Sequence, residues 1–171
     1  ATTQPGRVKA MIINDIGPEL DPAGLARIQA YVGKSEPVSS WDEAVAQARA
    51  INAVAFPDFT DRQWLDFTRG IYREEDGVPV LAYDPAIATP MEREDSGAIP
   101  PDMWPLFESV CNRPILVVRG ALSDIVAVDC VEGMLRRKPD LQVAEIPHRG
   151  HAPTLTEAAS LVAIDAFLGQ L

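Results

Sequence analysis

The sequence predicts an α/β protein: parallel strands flanked by helices, with a helical insertion after the first strand. Three observations carry that expectation. The run "PILVVRG" at 114–120 is continuously apolar until it ends at Gly120, which suits a strand buried on both faces. The remainder alternates strand, helix, strand, helix, and such units require a parallel sheet with right-handed crossovers. "VKAMII" at 8–13 is a further short, β-favouring apolar run bounded by "PG" and "NDIGP".

The elements follow in order. After the first strand, "DPAGLARIQAYV" opens with Asp21 as cap and Pro22 at the first helical position. Leu25, Ile28 and Val32 share one face of that helix. "SSWDEAVAQARAINAVAF" starts a second helix, with Ser40 as cap and Glu43 three residues on. A third, "TDRQWLDFTRGIY", is capped by Thr60 or Asp61 and places Trp64, Phe67 and Ile71 on one side. Residues 74–103 carry five prolines and read as loop, with a short extended piece at "VLAY". "WPLFESV" suits a short helix. After the strand at 114–120, "AVDCVEGMLRRK" is a helix whose last turn is basic, "LQVAEIP" alternates as a strand, and "TLTEAASLVAIDAFLGQL" is a terminal helix with Leu161, Ile164 and Leu168 on one face. This layout divides the chain into a core of residues 1–18 and 104–171 and a helical cap of residues 19–103.

Composition narrows the function. The chain has 171 residues, 47% of them hydrophobic, enough for a real core. Its net charge is −10, from 25 acidic and 15 basic residues, which argues against a nucleic-acid groove and against docking on anionic membranes. No apolar stretch approaches the ~20 residues that span a bilayer. Two cysteines without CxxC spacing argue against a disulfide framework and point to the cytoplasm.

Ligands of open parallel sheets gather beyond the C-terminal ends of the strands. Three segments occupy that edge: "NDIGPEL", "RGALSDIV" and "PHRGHAP". The second supplies Asp124, and the third holds both histidines of the chain, His148 and His151. An imidazole moves protons near neutral pH, and a carboxylate behind it sets its tautomer. Asp124 and His151 end adjacent strand–helix units, so they are expected to meet in space. Gly150 lets the backbone turn before the working ring. Taken singly, Asp124 is equally well a helix cap and His151 a structural loop residue; His148 reads as solvated. Pro147 and Gly150 deny the two histidines a shared helical face, so no metal site is expected.

The order "PILVVRGALSDIV", helix, "LQVAEIPHRGHAPTLTEAASLVAIDAFL" resembles the C-terminal part of an α/β-hydrolase, and "PGRVKAMIINDIGPEL" is similar to the strand that follows that family's nucleophile helix. The resemblance covers essentially the whole chain. It implies that Asp124 and His151 are the acid and the histidine of a Ser-His-Asp set, and that residues 21–73 belong to the cap. No serine here (Ser35, Ser39, Ser40, Ser96, Ser109, Ser123 or Ser160) stands in a G-x-S-x-G elbow. The resemblance therefore implies that the nucleophile, the oxyanion hole and about five strands belong to an N-terminal part of the same protein, on a second chain or a missing segment. That part would complete the sheet beside the strand at 8–13. The expected activity is hydrolysis of an ester, lactone or similar small hydrophobic acyl substrate without a cofactor, this chain alone being inactive. Trp41, Trp64 and Tyr83, with Phe56 and Phe59, are candidate pocket walls, and Asp15 and Ile16 candidate floor residues. The alternative is a non-catalytic relative of this fold that binds a small molecule or a partner protein.

Overall fold

The structure is a computed structural model that describes residues 5–84, 86 and 102–171. It divides into two compact units, residues 1–25 with 100–171, and residues 26–99. Most of the proline-rich loop expected within 74–103, with its acidic stretch and Ser96, lies outside the described residues.

The first unit is built on three parallel strands, β1 (Met11–Asn14), β4 (Ile115–Gly120) and β5 (Gln142–Ile146), in the order β1-β4-β5. Between β1 and β4 the register pairs Met11 with Ile115 and Asn14 with Val118. Between β4 and β5 it pairs Arg119 with Glu145 and Gly120 with Ile146. Every residue of β4 is buried, as expected of a central strand covered on both faces. Leu116, Val118 and Ile146 pack with Phe167 of the last helix, α6 (Ala158–Leu168). On the opposite face, Met11 and Ile13 share an apolar groove with Phe107 of α4 (Trp104–Glu108) and Met134 of α5 (Val128–Arg137).

The terminal helix differs from its expected stripe. Ser160 and Phe167 are buried, with Ala163 and Ile164 against the core, while Leu161 and Leu168 stay about half exposed. The helix also starts at Ala158, because Thr154 and Glu157 are used in a side-chain cluster ahead of it.

The second unit holds most of α1 (Pro22–Tyr31), then α2 (Trp41–Asn52) and α3 (Asp61–Ile71). Their starts follow the expected grammar. The Ala23 amide donates to Asp21, the Glu43 amide donates to Ser40 Oγ, and Thr60 with Gln63 forms a reciprocal capping box. The Glu43 carboxylate departs from that grammar by accepting from Ser39 instead of closing a box on Ser40. After α3 the chain does not run on as loop. It forms a hairpin of β2 (Tyr72–Glu75) and β3 (Val78–Leu81), whose turn places Asp76 at φ +50° and Gly77 at φ +81°. "DG" between extended segments is a hairpin signal, because both turn residues must be left-handed to match strand twist. The prolines around it obscured that signal in the sequence. Among the described residues no helix is long and apolar enough to cross a membrane.

Candidate active site

All three loops expected at the C-terminal edge of the sheet belong to the first unit, and all three meet at Asp15. Its amide extends the ladder by donating to the Val118 carbonyl, 2.8 Å away. Its backbone then turns into the left-handed region, at φ +48°. Asn and Asp tolerate that conformation better than other side-chain-bearing residues. The carboxylate is thereby folded back over the end of β4 and is fully buried. Its Oδ1 accepts from the Gly120 amide at 2.9 Å and its Oδ2 from Ser123 Oγ at 2.8 Å. A buried charge needs such donors to offset lost hydration.

His151 Nδ1 lies 3.0 Å from Asp15 Oδ2 and 2.9 Å from the Asp15 carbonyl oxygen. Both oxygens can only accept, so Nδ1 carries the hydrogen. The neutral ring is then the Nδ1–H tautomer, with its lone pair on Nε2. That is the form of a general base, with a carboxylate placed to stabilise the imidazolium once Nε2 is protonated.

The loop around His151 is held on all sides. The Leu122 amide donates to the Arg149 carbonyl. Gly120 allows this approach: a Cβ there would stand 2.4 Å from the Arg149 oxygen and 2.5 Å from the Gly150 oxygen. Arg149 pairs with Glu157 across the loop, both side chains nearly buried. The same Glu157 carboxylate accepts from the Thr154 amide and hydroxyl and from Ser160 Oγ. Burial pushes the Glu157 carboxyl up, but these hydrogen bonds together outweigh it and hold it below its ordinary value. His148, left-handed at φ +57°, is a turn residue of this loop.

The ring contact seen here is with Asp15, a residue expected only at the floor of the site. Asp124 was expected against the His151 ring, yet both hydrogen bonds of that ring go to Asp15. Asp124 sits half-buried on the loop after β4, with its carbonyl against Gly24 and an interaction of its own. The reason is topological. β4 has a neighbour on each side, and the side chain that crosses its end comes from β1, about a hundred residues earlier. The sequence signal was present: an Asp directly after a buried strand, at the same edge as the histidine. Ser123 is also accounted for. Its hydroxyl donates to Asp15 and accepts from the Ile125 and Val126 amides, so it is a brace under the carboxylate.

The expected pocket residues divide differently. Trp64 is 3% exposed and packs edge-on to Phe56, Phe59 and Phe67, so it is core of the second unit rather than a substrate wall. Trp41 donates from Nε1 to Glu74, tying α2 to the hairpin. Tyr83 is partly exposed and borders a mostly apolar cavity of about 230 Å³ with Tyr31, Phe67, Tyr72 and Leu81. Ile16 is half exposed and lines the groove beside β1.

No family model matches the sequence. The chain is 32% identical over 167 residues to a 3-hydroxybutyrate-oligomer hydrolase of Cupriavidus necator, covering 94% of this chain and 56% of that protein. It superposes on the crystal structure of an alpha/beta hydrolase from Novosphingobium aromaticivorans with a TM-score of 0.89 and 35% identity, over 100% of this chain and 60% of that one. An esterase from Mycobacterium tuberculosis shares the fold at a TM-score of 0.64 and 19% identity, over 100% of this chain and 55% of that one. The chain thus spans little more than half the length of these relatives.

Proposed function

This chain carries the C-terminal portion of the α/β-hydrolase fold, and from that premise we propose that it serves a hydrolase cleaving an ester, lactone or similar small hydrophobic acyl substrate. The observation that carries the reading is the contact of His151 Nδ1 with the buried Asp15, which leaves Nε2 as the basic atom. A serine supplied by an N-terminal part of the protein attacks the acyl carbon, and Nε2 takes its proton. The imidazolium, held by Asp15, returns that proton to the departing alcohol oxygen. Water then gives its proton to Nε2 as it attacks the acyl-enzyme, and the acid leaves as the serine is reprotonated. Ester-linked hydroxyacid oligomers, the substrate class in the Cupriavidus relative's name, belong to the chemistry this pair can serve.

The N-terminal part would complete the sheet at β1. Among the described residues β1 is paired on one side only, and the apolar groove beside it, about 280 Å³, is lined by Met11, Ile13, Ile16, Met103, Phe107 and Met134. An unpaired edge next to apolar side chains favours addition of another strand. Cys111 and Cys130 are free thiols, in keeping with a cytoplasmic enzyme.

The test is hydrolysis of short p-nitrophenyl esters by the full-length protein. His151→Ala should cost orders of magnitude in rate, and this chain alone should show no turnover. Unchanged turnover in His151→Ala removes the ring from the mechanism, and no turnover by the intact protein favours a binding role.

A further inference from the structure

The residue before Asp15 holds the same loop from another side. Asn14 ends β1, and its register partner Val118 lies in the cluster packed against α6. Its Nδ2 donates to the Pro153 carbonyl at 3.0 Å, two residues beyond His151. That bond sets the amide orientation, because a carbonyl can only accept. The other end of the amide is then left over: among the described residues, Asn14 Oδ1 is buried and has no hydrogen-bond donor.

We propose that Asn14 is a positioning residue for His151: its Nδ2 anchors the segment after the ring at Pro153. The inference rests on the hydrolase reading. Its physical basis is distance. Asp15 fixes the ring's rotation through Nδ1, but the backbone that carries the ring also needs a fixed height above the sheet. A misplacement of about 1 Å in a reacting group can cost a hundredfold in rate.

The experiment compares Asn14→Asp, Asn14→Ala and His151→Ala in the full-length protein with p-nitrophenyl esters, at a temperature where circular dichroism matches the parent. Asn14→Asp keeps an acceptor but loses the donor to Pro153; Asn14→Ala loses both. Each is expected to lower kcat by about tenfold to a hundredfold with KM within about twofold. A residue that only stabilises the fold would lower Tm and leave kcat of the folded enzyme unchanged. If Asn14→Ala fails to fold, the near-isosteric Asn14→Asp decides. A kcat within twofold of the parent in a folded variant, or a loss confined to KM, overturns the proposal. If His151→Ala is inactive while the Asn14 variants are normal, only this inference falls; an active His151→Ala takes the hydrolase reading down with it.

Discussion

His151 Nδ1 lies within hydrogen-bond distance of two oxygens of Asp15, one on the carboxylate and one on the backbone. Both oxygens accept, so together they hold the hydrogen on Nδ1 and leave Nε2 basic, and the carboxylate adds the charge that stabilises the imidazolium. A single residue at the end of β1 therefore sets both the geometry and the tautomer of the base.

Asp15→Asn turns this pair around. The amide presents a donor to Nδ1 and offers no charge to the imidazolium, leaving only the backbone oxygen to hold the ring hydrogen there. The expected loss is about 10³- to 10⁴-fold in kcat on p-nitrophenyl esters. Asp124→Asn, which leaves the Asp15 contact in place, should stay within about tenfold. The reverse ranking in steady-state kinetics would return the acid's role to Asp124.

Ser123→Ala removes one donor to a buried carboxylate and leaves the Ile125 and Val126 amides without their acceptor. The expected cost is about 1–3 kcal/mol in unfolding free energy, read from urea titrations of the full-length protein. Because Ser123 braces Asp15 and is not the nucleophile, reactivity toward a phosphonylating fluorophosphonate should persist. Loss of labelling with stability intact would contradict that role.

Glu157 makes the histidine loop sensitive to acid. Its folded pKa is depressed below the ordinary 4.5, so its contribution to stability is fully present above that value. It is lost as pH falls from there through the folded pKa. Glu157→Gln should therefore be less stable than the parent at neutral pH, and the gap should narrow as pH drops below 4.5. Parallel urea titrations across that range check the sign; a gap that widens toward acid would refute it.

Trp64→Ala and Tyr83→Ala should separate packing from pocket. Emptying the Phe56–Phe59–Phe67 cluster of its tryptophan should cost about 3–5 kcal/mol in stability. In molecules that still fold, KM should hardly move. Tyr83→Ala, at the border of the apolar cavity, should leave Tm nearly unchanged. A Trp64→Ala protein of parental Tm would place that ring outside the core.

How much of this was legible beforehand follows from the range of the forces involved. Helix starts at Asp21, Ser40 and Thr60, the buried run of β4 and the placement of His151 beyond β5 depend on neighbours within a few residues, and the sequence by itself determined them. The "DG" turn after α3 was equally local, but the prolines around it hid it.

The carboxylate that serves His151 was a different kind of question. Asp15 and Asp124 both follow strands at the same edge, and nothing within a few residues of either separates them. Tertiary structure put Asp15 in contact with the ring. The parallel pairing of Met11–Asn14 with Ile115–Val118 brings β1 beside β4, and a left-handed turn at Asp15 folds its side chain over Gly120 onto the ring. The same long-range packing sent Trp64 into a core and turned Leu161 and Leu168 outward. Periodicity marks which residues are apolar; which apolar surface meets which depends on how the elements are stacked.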